Sequence, residues 1–155
     1  MDSLRAAVAA FVISLAAALI AVSPALDAVR GHDVVIVTGG LGCAPVVGAI
    51  DYMFRRRRHY GSVKIIHGVK TSRDLLFHER FEAWGKQPDT EVLLASTRPD
   101  ETWRYHVGVV TDLFERVTLD PTKTMVLMCG PEIMMRLGAP ILMRRGIPAT
   151  AIYVS

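Results

Sequence analysis

Apolar and polar positions come in regular blocks along this chain. From Asp33 the stretch DVVIVT holds an unbroken apolar run, as expected of a strand buried on both faces. APVVGAIDYMFRRRR follows, and its Val46, Val47, Ile50, Met53 and Phe54 are spaced to line one face of a helix. Pro45 falls in that helix's first turn, where a missing N–H costs nothing. SVKIIHG reads as a second strand, and SRDLLFHERFEAWGK as helical, in one piece or two. TEVLLAST is a third strand, RPDETWRYHVG a polar loop, VVTDLFERV a short helix and KTMVLMCG a fourth strand. PEIMMRLGAPILMRRG is a helix bent at Pro140 and closed by Gly146, and TAIYVS is a fifth strand.

Strands alternating with helices at these lengths predict an α/β fold. The expected architecture is a five-stranded parallel sheet in the order 3-2-1-4-5, with helices on both faces, over residues 29–155. Residues 1–28 are expected to form a separate apolar helix. Within them Ala6–Leu26 carries no charge over 21 residues, long enough to cross a bilayer. Four readings stay open for it: a membrane anchor, a signal peptide with a poor cleavage site at Ser23–Ala25, a helix packed on the domain, or a start that is not native to the domain.

The chain has 155 residues, about half of them apolar, and a formal net charge of +3. That is the size of one domain with an ordinary core, and the charge gives no sign of a nucleic-acid partner. Cys43 and Cys129 form no metal-ligand spacing with one another or with the five scattered histidines. Two thiols fit a reducing compartment, and the expected location is cytoplasmic, with membrane contact open through residues 6–26.

Candidate chemistry begins where the first strand ends, at TGGLGCAP. Strand, glycine turn and helix start together make an anion site from converging amides and a helix dipole. Glycines also let a pyrophosphate approach the main chain. The plain alternative is a turn that only needs unusual backbone angles. The loop is no P-loop, since no G-K-[ST] follows, and Pro45 stands where the third glycine of G-x-G-x-x-G would be. MCGPEIMM repeats the strand, glycine, proline and helix sequence. In the predicted order both turns open on one crevice, the topological switch point. Cys129 would stand there, or serve only as a small buried residue. HGVKTSRD ends the second strand with no acid to hold a ribose 2′-hydroxyl. Lys70, Ser72 and Arg73 are available for a 2′-phosphate, or are solvated surface groups. Arg55–Arg58 is either a nucleic-acid or lipid patch or the cationic last turn of a helix, and the helix end is the favoured reading.

Taken in order, VVIVTGGLGCAP, HGVKTSRDLLF, TRPDETWRYHVGVVTDLF and VLMCGPEIMM resemble the NAD(P)-binding domain of the ferredoxin–NADP reductase superfamily. The branch most similar holds sulfhydrogenase gamma subunits, anaerobic sulfite reductase B subunits and dihydroorotate dehydrogenase electron-transfer subunits. The resemblance implies a pyrophosphate loop at Thr38, Gly39, Gly40, Leu41, Gly42 and Pro45. It implies adenosine-side groups at Gly68, Lys70, Ser72 and Arg73. Cys129, Gly130 and Pro131 match the motif where nicotinamide meets flavin. Cys129 is thereby implied as the residue at the hydride path, a positioning group and not a nucleophile. The cofactors implied are NAD(P) and FAD. The family's flavin barrel has no counterpart here, so FAD is expected from a partner or a missing domain. The branch's two-iron two-sulfur ligands are absent too. Partners expected are flavin-bearing and iron–sulfur electron-transfer subunits. A nucleotide-binding or docking protein without turnover is the alternative.

Overall fold

The computed structural model describes residues 26–155. The expected apolar helix over residues 1–28 therefore lies almost wholly outside the described residues. Leu26 and Val29 are buried against the domain.

The described chain is an α/β unit built on one parallel sheet. Its strands are β1 (Asp33–Gly39), β2 (Val63–Thr71), β3 (Thr90–Arg98), β4 (His106–Val107), β5 (Thr124–Cys129) and β6 (Ile152–Val154). The order is β4-β3-β2-β1-β5-β6. Five of these strands follow the expected order. The sixth, β4, is a correction to the five-strand expectation. It lies inside RPDETWRYHVG, and only its two residues pair, with Ala95 and Ser96. An edge strand this short has too few positions for an alternating pattern to register.

The helices are α1 (Cys43–Arg55), α2 (His78–Gly85) and α3 (Glu132–Arg144). The stretch after β2 does come in two pieces, a 3-10 turn at Ser72–Asp74 and then α2. VVTDLFERV forms a 3-10 helix over Val110–Arg116. Helix α3 runs through Pro140 and stops at Gly146, whose φ is +91°. The Gly146 amide donates to Met143 at 2.9 Å and that of Ile147 to Leu142 at 3.1 Å. This pairing closes a helix on a left-handed glycine, with buried Leu142 and Ile147 packing behind it.

Each sheet face has its own apolar layer. Val34, Ile36, Ile65 and Leu127 pack with Val46, Ile50 and Met53 of α1 and with Phe81 and Trp84 of α2. Val35, Val37, Ile66 and Met128 pack with Leu113, Phe114 and Leu142. Because β1 is covered on both faces, Val34, Val35, Ile36 and Val37 are all buried. That is the reason its sequence is a continuous run. With all strands parallel, the carboxyl ends of β1, β2 and β5 share one edge, where α1 and α3 begin.

Candidate functional site

The two glycine turns pack against each other. Strand β1 pairs Thr38 with Cys129, and the chains turn together one residue later. A β-carbon on Gly42 would fall 2.6 Å from the Cα of Gly130, and one on Gly39 would meet the Met134 sulfur at 2.8 Å. This close approach is what two of the loop glycines permit. Gly40 differs: its φ is +52°, and the space its side chain would fill is open.

Helix α1 begins at this loop with no side-chain cap and no acid in its first turn. The Cys43 amide donates to the Leu41 carbonyl and Pro45 carries no N–H, so it is chiefly the helix dipole that gives this end its positive potential. Helix α3 also lacks a side-chain cap, but Glu132 in its first turn opposes an anion. Of the two helix starts, α1 is the one electrostatically suited to a phosphate.

Two clefts flank the loop and share Gly39 and Pro131. The first, of about 450 Å³, is lined by Gly39, Gly40, Gly68, Lys70, Thr97 and an apolar wall that includes Val109, Val110, Ile133, Met134 and Leu137. The second, of about 440 Å³, is lined by Leu41, Gly42, Cys129, Gly130, Pro131 and Ser155. Leu41 at its rim is 78% exposed. Burial pushes the Cys129 thiol up from its ordinary range, and does the same to Cys43, with a smaller contribution there from neighbouring Cys129. Both remain protonated at neutral pH, consistent with a wall rather than a nucleophile.

The other residues singled out in the sequence divide between cleft and surroundings. Thr38 lies beneath the loop, 2% exposed, with its hydroxyl 2.8 Å from His67 Nδ1. Gly68 and Lys70 reach the first cleft, and Val110 occupies the space a Gly68 side chain would need. Pro45 is half-buried in the first turn of α1 and lines neither cleft. Ser72 accepts the Asp100 amide at 3.0 Å, and Arg73 stands exposed beside it; neither lines a cleft. Asp74 is held below the usual carboxylate range by hydrogen bonds from the Thr71 hydroxyl and amide. Asp100 is likewise held down by the Thr102 hydroxyl and amide.

Sequence reasoning missed the apolar wall and His67. The wall residues carry helix-like spacing, so they read as core. Partial exposure separates them, since Ile133 is 51%, Leu137 57% and Val109 49% exposed. No group of three or more metal-ligating side chains occurs among the described residues, and the two cysteines cannot supply four iron–sulfur ligands.

Paired clefts at the carboxyl ends of parallel strands, joined under an uncapped helix start, define a nucleotide-binding domain of the doubly wound class. The chain belongs to the oxidoreductase NAD-binding domain family, whose model matches residues 36–139. This bears out the ferredoxin–NADP reductase resemblance carried by the sequence motifs. Among curated relatives, the Sulfhydrogenase 1 gamma subunit of Pyrococcus furiosus is 26% identical over 132 residues, which are 84% of this chain and 45% of that protein. The probable dihydroorotate dehydrogenase B (NAD(+)) electron transfer subunit of Methanocaldococcus jannaschii is 28% identical over 118 residues, 76% of this chain and 42% of that one. In fold, the cytochrome b5 reductase domain of Ulva prolifera nitrate reductase superposes with a TM-score of 0.73 at 22% identity, over 80% of this chain and 48% of that one. The chain thus spans about half the length of the curated relatives it matches. No helix among the described residues is long and apolar enough to cross a membrane.

Proposed function

We propose that this chain binds NAD(P)H across the two clefts and turns its nicotinamide toward a flavin held by another domain or subunit. The uncapped start of α1, at a glycine turn shared by both clefts, is the observation that carries this reading. A diphosphate there meets the positive end of the α1 dipole and the open space at Gly40. The adenosine half then extends into the first cleft, with apolar walls for a base and the Lys70 ammonium at its edge. The nicotinamide half enters the second cleft beside Cys129.

When bound, the nicotinamide supplies or accepts a hydride. The chain's own residues bind, orient and shield, which is the protein's part in such reactions. Gly39, Gly40 and Gly42 fix the diphosphate, Pro131 separates the two halves, and Cys129 forms an uncharged wall. Leu41 and Val154, 78% and 58% exposed, stand near this end and suit a partner surface that brings the flavin. That partner would be a flavin-bearing electron-transfer subunit, in turn linked to iron–sulfur carriers.

Titrating the purified chain with NADH and NADPH, followed by calorimetry, tests the reading. Saturable binding of either nucleotide, competed by ADP-ribose, is expected. Absence of binding by both overturns it. Adding FAD and an electron-accepting dye then separates binding from turnover, and turnover is expected only once a flavin-bearing partner is present.

A further inference from the structure

A row of three side chains lies directly under the clefts. Strand β1 pairs Thr38 with Cys129 on one side and with His67 on the other. The next residues along, Gly39, Gly68 and Gly130, line the clefts. By strand alternation the three side chains point to the same face as Ile36, Ile65 and Leu127, which is the α1 face.

Within this row the single hydroxyl is committed to one side. Thr38 Oγ1 is 2.8 Å from His67 Nδ1. Threonine carries one oxygen on Cβ, so a hydroxyl turned to β2 cannot also serve a neighbour on β5. His67 is fully buried, its ring stacks on Phe81 at 5.0 Å, and its Nε2 has no partner among the described residues. An unpartnered buried nitrogen is unfavourable, and a leucine at this position would not carry one.

We propose that His67 is a positioning residue: by engaging the Thr38 hydroxyl it turns that group away from Cys129 and denies the thiol a hydrogen bond from its neighbour on β1. A thiol without such a bond gains no stabilisation as thiolate, so the wall of the second cleft stays uncharged. The inference deepens the dinucleotide reading and rests on it for its functional weight, but not for its test.

The test is the rate at which iodoacetamide alkylates Cys129 in the full chain at neutral pH, resolved by peptide mass spectrometry. In His67→Leu the hydroxyl is released toward Cys129, and the rate should rise roughly fivefold, the factor one ordinary hydrogen bond represents. In His67→Leu/Thr38→Val it should return to the wild-type value. A rise that persists in the double variant means loosened packing and overturns the proposal, as does an unchanged rate in the single variant. His67→Asn, which can still engage the hydroxyl, should behave as wild type. Thr38→Val alone should leave the rate unchanged. A marked change there would show the hydroxyl already resting on the thiol, and would overturn the proposal even if His67→Leu failed to fold. Protection of wild-type Cys129 by NADH is read separately. Its absence counts against the dinucleotide reading and leaves the substitution cycle intact.

Discussion

Gly42 rests on Gly130: a β-carbon on the first would stand 2.6 Å from the Cα of the second, with the Cys129 main chain as close. The obstacle is backbone at the ends of two adjacent strands, which cannot swing aside as a side-chain tip would. Gly42→Ala must part the two turns and should cost about 1–3 kcal/mol. Urea denaturation would read this as a lower midpoint at unchanged slope.

Gly40 predicts the opposite division between stability and binding. Its φ of +52° is left-handed, and nothing lies within 4 Å of where a side chain would begin. Asparagine tolerates that conformation. Gly40→Asn should therefore keep the fold, losing about 1 kcal/mol. Its side chain would still stand in the first cleft, so affinity for NADH should fall tenfold or more, about 1.4 kcal/mol. Equal affinities would remove the loop from the site.

Lys70 and Arg73 were equivalent candidates for a 2′-phosphate, and their placement separates them. Lys70 lines the first cleft, while Arg73 stands off it beside Asp100. Lys70→Ala should weaken NADPH by roughly fivefold to tenfold, as expected for one charge-assisted contact, and NADH far less. Arg73→Ala should change both little. Calorimetric titration of the two variants with both nucleotides decides between them.

The Arg55–Arg58 run shows where sequence stops and folding decides. By type the four are identical, and cations at a helix end are sufficiently explained by the dipole. The fold singles out Arg57, whose guanidinium donates to Tyr60, Gly61, Pro88 and Asp89 carbonyls at 2.7–3.2 Å. Those acceptors belong to the turns before β2 and β3, up to 32 residues away. Arg57→Ala should cost about 2 kcal/mol, in the range of hydrogen bonds to a charged group. Arg58→Ala should stay within about 0.5 kcal/mol. Thermal melts of the two variants would show the contrast.

The same limit governs what was legible elsewhere. The run in β1 was readable because burial on both faces demands continuous apolar residues. The paired glycine turns were readable because glycine and proline restrict the backbone locally. The β4 strand was not, since its hydrogen bonds to β3 are set by tertiary position rather than by pattern. Nor was the cleft wall, because Val109, Ile133 and Leu137 have the composition of a core and only the fold leaves them partly exposed. His67 looked like any strand residue until β1 brought Thr38 against it.

His67 also predicts how stability depends on pH. Burial lowers its pKa from 6.5 to about 4, against a smaller opposing effect of the Thr38 backbone. The folded chain thus keeps it neutral where the unfolded chain binds a proton. Stability is complete above the unfolded value, falls as pH drops through 6.5, and levels off below about 4, where both states are protonated. By pH 5 the loss should be about 2 kcal/mol. Asp33 falls in a different window: its folded pKa is held below 3.8, so its contribution is lost only as pH falls further. Urea titrations at pH 7, 6 and 5 should therefore show a decline that His67→Leu removes. A decline of the same size in that variant would place the proton uptake on another group.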